Sequence, residues 1–217
     1  MRLSGAEKES FCTHGFVGPF ELCTASEMAA MRAHLEALFD APGAAGGHNG
    51  HQYDPLMWRL ASHPAIAGRM QSLYGPELLV WRTNFFVKDP SGGVASRGEI
   101  PWHQDVNFWP LEPAVIMTAW IAVTDSTEEN GLLQLIPGSH RCVVPHVPSS
   151  SPELVFQEMA DPEFVDLSKV VSFPMRAGQF ILFNERTMHH SNPNTTDQRR
   201  LGLAVRVGQS PLHVRGC

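Results

Sequence analysis

The chain has 217 residues, 43% of them hydrophobic, and a formal net charge of −6. That composition fits one globular domain with a sizeable core and excludes a disordered chain. The acidic balance argues against a nucleic-acid binder that tracks phosphates, which carries a basic footprint. Cys12, Cys23, Cys142 and Cys217 contain no Cys-x-x-Cys pair and are too scattered for a disulfide scaffold. Free thiols in a reducing cytoplasm are therefore expected. No basic start followed by an apolar run marks a secretory signal, and no apolar run reaches the roughly 18 residues of a membrane span. The expectation is a cytoplasmic protein with neither a nucleic-acid nor a membrane partner.

In chain order, the first twenty residues read as a short extended segment anchored by Phe11, Phe16, Val17 and Phe20. A helix follows, because Thr24 and Glu27 form a capping box and Met28, Met31, Leu35 and Leu38 recur at helical spacing. Pro42-Gly43 ends it, and the Gly/Ala-rich run to about Gly50 reads as a loop. Pro64 opens a second helix over 64–74, with Ile66, Met70 and Leu73 on its apolar face and Gly75 as its stop. Residues 78–87 read as a strand, with Trp81 and Phe85 on one face and Val80, Arg82, Asn84 and Phe86 on the other. A Gly/Ser-rich loop spans 89–98. Further strands are expected at 115–123, 132–136, 170–173, 179–183 and 201–207, with Gly, Pro and Asn turns between them. Residues 148–162 read as a loop with one helical turn. Helices followed by many short strands predict a mainly β fold with flanking α-helices. The specific expectation is a double-stranded β-helix, a cupin-like jelly-roll barrel, as a single domain over 1–217 with N-terminal helices (about 1–76) packed on it.

The chemistry centres on Pro101-Trp-His-Gln-Asp105. On an extended strand, His103 and Asp105 point to one face. One imidazole and one carboxylate make two thirds of the facial triad used by non-haem Fe(II) oxygenases. A distant second His would complete it, and Thr187-Met-His-His-Ser191 offers His189 and His190. Such a site leaves metal positions open for a bidentate co-substrate and for dioxygen. If the co-substrate is 2-oxoglutarate, its far carboxylate needs a fixed cation, and the planar fork of Arg suits it. Arg199 and Arg200 follow His189 by ten and eleven positions, at the start of an apolar strand. Trp120 fits the core as well as a pocket. His140 reads as a turn residue, and His48, His51 and His63 as surface histidines. Arg82 and Arg206, cations on strands, are candidates for contact with an anionic substrate.

Taken together, these pieces resemble the phytanoyl-CoA dioxygenase family of Fe(II)/2-oxoglutarate oxygenases over most of the chain. Ile100-Pro-Trp-His-Gln-Asp105 resembles its proximal metal motif. Trp120-Ile-Ala-Val-Thr-Asp125, Asn130-Gly-Leu-Leu-Gln134 and Ile136-Pro-Gly-Ser-His-Arg141 resemble its central strands and turn. His189-x-Ser191-x-x-Asn194 followed by Arg200 is similar to its distal motif. The resemblance implies that His103, Asp105 and His189 hold Fe(II), His189 being preferred to His190 because it opens that pattern. It implies that Arg200 and Ser191 hold the far carboxylate of 2-oxoglutarate, that Trp120 lines the co-substrate pocket, and that Trp109 contacts substrate. Some relatives carry Ala or Gly in place of the metal-binding Asp and bind halide there. Retention of Asp105 therefore implies hydroxylation of a small molecule, with dioxygen consumed and succinate and carbon dioxide released. Two other readings stay open from the residues alone: a cupin-like metal enzyme that does not use 2-oxoglutarate, and a jelly-roll binding module without turnover. Trp102, Phe108, Trp109 and Phe183 suggest an aromatic-walled pocket without naming its occupant.

Overall fold

A computed structural model describes residues 1–41, 47–91, 98–112, 115–149, 151–211 and 213–214. The chain opens on a helix, α1 (Gly5–His14), where an extended segment is expected. Ser4 and Glu7 form a capping box at its start, and Gly15 at φ 87° ends it by returning its N–H to the Phe11 carbonyl. These end signals outweigh the apolar anchors, and the extended part is confined to β1 (Phe16–Glu21). Thr24 and Glu27 cap α2 (Ala25–Asp40) as the spacing predicts. The expected Pro42-Gly43 stop lies outside the described residues. A helix absent from the sequence expectation follows, α3 (Pro55–Ala61). Seven residues are too few for a periodic signal. Its marks are Pro55 at the first helical position and Asp54, whose carboxylate accepts from the Met57 N–H at 2.8 Å. Then comes α4 (Pro64–Tyr74), ended by Gly75 as expected. No helix among the described residues is long and apolar enough to cross a membrane.

The rest is β. In chain order the strands are β2 (Leu78–Lys88), β3 (Ile100–His103), β4 (Leu111–Glu112), β5 (Ile116–Ala122), β6 (Leu133–Leu135), β7 (His146–Pro148), β8 (Glu158–Ala160), β9 (Val171–Phe173), β10 (Gln179–Asn184), β11 (His189–Ser191), β12 (Arg200–Gln209) and β13 (His213–Val214). A five-stranded antiparallel sheet runs β1-β10-β5-β12-β2, and a four-stranded one runs β3-β11-β6-β9. Two facing antiparallel sheets make the predicted jelly roll. The pair β7–β8 replaces part of the loop expected over 148–162.

Alternation along the larger sheet builds two cores. Met117, Ala119, Ile121, Phe180, Leu182, Leu203 and Val205 face outward and meet Met28, Leu35, Met57, Ile66 and Met70 from the helices. Each such apolar side chain contributes about 1.5–3 kcal/mol on burial. Trp120, Ala122, Ile181, Phe183 and Ala204 face the smaller sheet, where they meet Leu133 and Leu135. One expected face is reversed. Arg206 pairs with Arg82 but Val207 pairs with Val80, so Trp81 is the extra residue of a β-bulge. Val80 therefore joins the helix-side core with Phe85, and Trp81 turns to meet Trp109 edge-on at 5.2 Å.

Gly202 lies under the Trp120 indole, and a Cβ there would sit 2.2 Å from Trp120 Cζ2. Gly202→Ala should therefore cost about 1–3 kcal/mol by overpacking. It should lower the urea midpoint without changing the slope, and an unchanged midpoint would show that the indole can move aside.

Candidate metal centre

β3 ends at His103, and the chain turns at Gln104 into a single 3₁₀ turn, Asp105–Phe108. Asp105 is thus not on the strand, which corrects the expectation of a shared strand face. Gln104 fixes the turn. It is fully buried, its Nε2 donates to the carbonyls of Cys142 (2.8 Å) and Arg186 (2.6 Å), and its Oε1 accepts from the Val144 N–H. The turn brings Asp105 Oδ1 to 3.7 Å from His103 Nε2. His189 opens β11 and pairs in register with His103, with ring centroids 4.0 Å apart. The ligand atoms of His103, Asp105 and His189 lie within 4.8 Å of one another, and all three residues are buried.

The two imidazoles are held alike. Nδ1 of His103 lies 2.8 Å from the Pro101 carbonyl, and Nδ1 of His189 lies 2.8 Å from that of Thr187. A carbonyl only accepts, so each Nδ1 carries the proton and each Nε2 keeps its lone pair for the shared space. Burial, then the neighbouring His103, pushes His189 down to about 3 against the pull of Asp105, so its ring is neutral. Burial alone would raise the Asp105 carboxyl, but the Arg206 guanidinium, the His103 hydrogen bond and His189 outweigh it. They hold the carboxyl well below the usual range. Two imidazole nitrogens and one carboxylate form a donor set that suits a divalent first-row metal such as Fe(II).

His190 faces the other way, as alternation requires. Its ring nitrogens reach Gln134 Oε1 (3.0 Å) and Glu99 Oε1 (3.1 Å), and Trp102 stacks on it at 4.9 Å. The cavity beside the triad is walled by Phe86, Ile100, Thr118, Trp120, Leu133, Phe183, Ser191, Ala204, Arg200 and Arg206, among others. Arg200 is 2% exposed. Its Nη2 donates to the Gly131 carbonyl (2.7 Å) and to Ser191 Oγ (3.2 Å), while its buried Nε has no acceptor among the described residues. Burial lowers Arg200 to about 9, which leaves it charged at neutral pH. Trp120 is both cavity wall and core, with the Arg200 guanidinium 5.3 Å from its ring. Arg199 points outward to Asp40 (2.9 Å) and Asp89 (2.8 Å).

Trp109 does not wall the cavity. It packs with Leu111 and Ile116, and it reaches the site only through Arg206, whose guanidinium lies 5.0 Å from its ring. Phe108 stands against the His103 ring beside Phe156, which lies in the connection between β7 and β8 where a loop is expected. His51 is not a surface histidine: it is buried and bonded to Thr83 Oγ1 at 3.0 Å. His63 caps α4, and His140 sits in a 3₁₀ turn as expected. Arg206, a candidate in the sequence for contact with an anionic substrate, faces inward and lines the cavity, whereas Lys88 and Glu185 carry no sequence signal of their place. Arg206 Nε lies 3.6 Å from Asp105 Oδ2; its spacing from Arg200, an even number of strand positions, is the signal that both face inward. Lys88 is buried, donates to the Ser191 carbonyl (3.1 Å) and to that of Gly98, and is pushed down to about 6 by burial and by Arg200. Glu185 is buried where its Oε2 accepts from the Ile116 N–H at 3.3 Å.

A jelly roll enclosing a buried His-Asp-His cluster defines the class of the non-haem iron oxygenases. The model of the phytanoyl-CoA dioxygenase family (PhyH) matches residues 11–202, and the chain belongs to that family. It is 30% identical over 167 residues to phytanoyl-CoA dioxygenase domain-containing protein 1 of Mus musculus, covering 74% of this chain and 55% of that one. It is 30% identical over 189 residues to L-proline trans-4-hydroxylase of Streptomyces griseoviridis, covering 76% and 69%. The chain thus spans about half the length of the mouse relative. Among solved structures, the apo form of the non-heme monooxygenase ThoJ superposes with a TM-score of 0.81 at 29% identity, over 95% of this chain and 78% of that one.

Burial raises Glu185 to about 7 from an ordinary 4.5. A folded-state pKa above the unfolded one stabilises fully below about pH 4.5, and that stabilisation is lost as pH rises through 7. In metal-free protein, wild type should lose ground to Glu185→Gln between about pH 5 and pH 8, by at most about 3 kcal/mol. Urea midpoints of both across that range measure it, and a constant difference would mean that Glu185 ionises normally.

Proposed function

We propose that this chain is an Fe(II)- and 2-oxoglutarate-dependent dioxygenase that hydroxylates a small molecule, consuming dioxygen and releasing succinate and carbon dioxide. The observation that carries the reading is the convergence of His103 Nε2, Asp105 and His189 Nε2 beside a cavity that ends on buried Arg200. Family membership and the likeness to L-proline trans-4-hydroxylase support it. His103, Asp105 and His189 would hold the metal, which when bound with 2-oxoglutarate supplies the oxidising power for attack on a C–H bond.

The protein's own work is to bind, orient and exclude water. The carbonyls of Pro101 and Thr187 keep both imidazoles in the ligating tautomer. Arg200 offers the far carboxylate a fork already held by Gly131 and Ser191, so little side-chain freedom is lost on binding. Ser191 Oγ, now donating to Gly131, is placed to turn its proton to the same carboxylate. Trp120 walls that pocket. A metal enzyme without 2-oxoglutarate has no use for Arg200, whose Nε is buried and unpartnered among the described residues. The direct test incubates protein with Fe(II), 2-oxoglutarate and a small-molecule panel and scores succinate. No succinate above background with any panel member, together with no metal uptake, would defeat the reading.

His103→Ala, Asp105→Ala and His189→Ala should each abolish stoichiometric Fe(II) binding in anaerobic dialysis, while His190→Ala should retain it. Iron lost with His190→Ala and kept with His189→Ala would shift the distal ligand by one residue. Hydrogen bonds to charged groups contribute roughly 1.5–3 kcal/mol, so Arg200→Ala should weaken 2-oxoglutarate at least about tenfold. Arg200→Lys should recover part of this, and Arg199→Ala should change little. Anaerobic titration of the metal-to-ligand charge-transfer band reads all three. Unchanged affinity in Arg200→Ala would remove the case for 2-oxoglutarate.

A further inference from the structure

A second pair of guanidiniums lies at the site and has no task in the reading above. Arg206 on β12 stands directly opposite Arg82 on β2. Like charges placed opposite each other on antiparallel strands repel, and burial adds to the cost. Arg206 is 5% exposed and Arg82 is half-buried. One carboxylate answers both: Asp105, whose Oδ2 lies 3.6 Å from Arg206 Nε. Asn84 Oδ1 accepts from Arg206 Nη1 but brings no charge. Arg82 has no acceptor among the described residues. Among the described residues its Nε is buried without a hydrogen-bond partner, and its guanidinium lies 5.7 Å from the Trp81 ring. No Asp or Glu lies among the residues outside the described set, so an undescribed acidic side chain is not the missing partner.

Arg206 lines the cavity, and Arg82 stands opposite it on the neighbouring strand. The inward face of β12 reads Arg200, Gly202, Ala204, Arg206. Arg200, Ala204 and Arg206 line the cavity, and the two cations are separated by roughly 20 Å of strand. Arg200 serves one end. At the other, the Trp109 and Phe86 rings flank the Arg206 guanidinium at 5.0 and 5.5 Å and hold its fork in place. With the metal bound, the Asp105 charge is committed to it, and the far carboxylate of 2-oxoglutarate answers Arg200. Arg206 and Arg82 are then left without an anion.

We propose that Arg206 and Arg82 bind a carboxylate of the substrate, so that the substrate is a small organic acid. The proposal rests on the Fe(II)/2-oxoglutarate reading. Two facing guanidinium forks match a carboxylate bidentately, and its charge relieves the repulsion between them. Asn84 and the flanking Trp109 and Phe86 rings hold Arg206 in place.

The test uses protein loaded with Ni(II) and saturated with 2-oxoglutarate, which keeps the Arg200 end filled. The probes are 3-phenylpropionate, octanoate and N-acetylproline, each beside its primary amide, with affinities from calorimetry. At least one acid should bind about tenfold or more tightly than its amide. Arg82→Gln should erase most of that preference while moving the amide by less than about twofold. Arg82→Lys should restore part of it. Asn84→Asp, which supplies the missing carboxylate from within, should abolish it and serves where Arg82→Gln does not fold. No acid outbinding its amide on wild type, or a preference that survives Arg82→Gln, overturns the proposal. The charge-transfer band of the Fe(II)/2-oxoglutarate form is recorded in parallel. Its absence in wild type defeats the oxygenase reading, whereas a normal band without acid preference defeats this proposal alone.

Discussion

The site depends on one register. His103 and His189 stand opposite each other where β3 meets β11, and everything else at the centre is arranged around that pair. Each ring is aimed by its own chain, through an Nδ1 bond to the carbonyl two residues earlier. The same local device, used on two antiparallel strands, delivers two Nε2 lone pairs to one point. Asp105 then comes from a turn, because a longer β3 would carry the chain away along the strand. Gln104, tied to three backbone groups, secures that turn. An anionic carboxylate in a buried space is costly by itself. Arg206 and Thr118, on neighbouring strands of the larger sheet, offset part of that cost.

The larger sheet carries two separate duties on its two faces. Its outward side chains meet the helices and supply most of the apolar burial. Its inward side chains form the chemistry: Thr118 and Trp120 from β5, Phe183 from β10, and Arg200 and Arg206 from β12. A shift of β12 by one residue would send both arginines into the helix-side core and Leu201 and Leu203 into the cavity. The hydrophobic pattern that fixes the fold therefore fixes the polarity of the site as well. The bulge at Trp81 is the local exception, and it sits beside Arg82, where the face of β2 changes its role.

What was legible in the sequence was local. Capping boxes, the Pro64 and Gly75 boundaries and the alternation of β5, β10 and β12 all act over a few residues, and they survive into the structure. His103, Asp105, His189 and Arg200 are assigned through the family resemblance, since spacing alone leaves His189 or His190 and Arg199 or Arg200 open, and Asp105 lies on a turn rather than on the strand. Short elements are legible unevenly: β6 and β9 fall within the expected strands at 132–136 and 170–173, whereas β11 and α3 have no counterpart among the expected elements. β11 has three residues and α3 has seven, too few for any period to show. The opening helix was missed because Phe11 and Phe16 were weighed above the Ser4 and Glu7 capping signal. Contacts between distant strands were invisible for a different reason. Nothing near Arg206 names Asp105 as its partner, and nothing near Lys88 shows that it will be buried under the Ser191 carbonyl.

The central claim is that three named atoms hold a metal whose co-substrate ends on Arg200. A crystal structure of the protein with Mn(II) and 2-oxoglutarate, read by anomalous difference density, tests it most directly. The account predicts one metal peak within bonding distance of His103 Nε2, His189 Nε2 and an Asp105 carboxylate oxygen. It also predicts the far carboxylate of 2-oxoglutarate on Arg200 and Ser191. A metal bound through Nδ1 or through His190, or a co-substrate carboxylate lying on Arg206 instead, would contradict it.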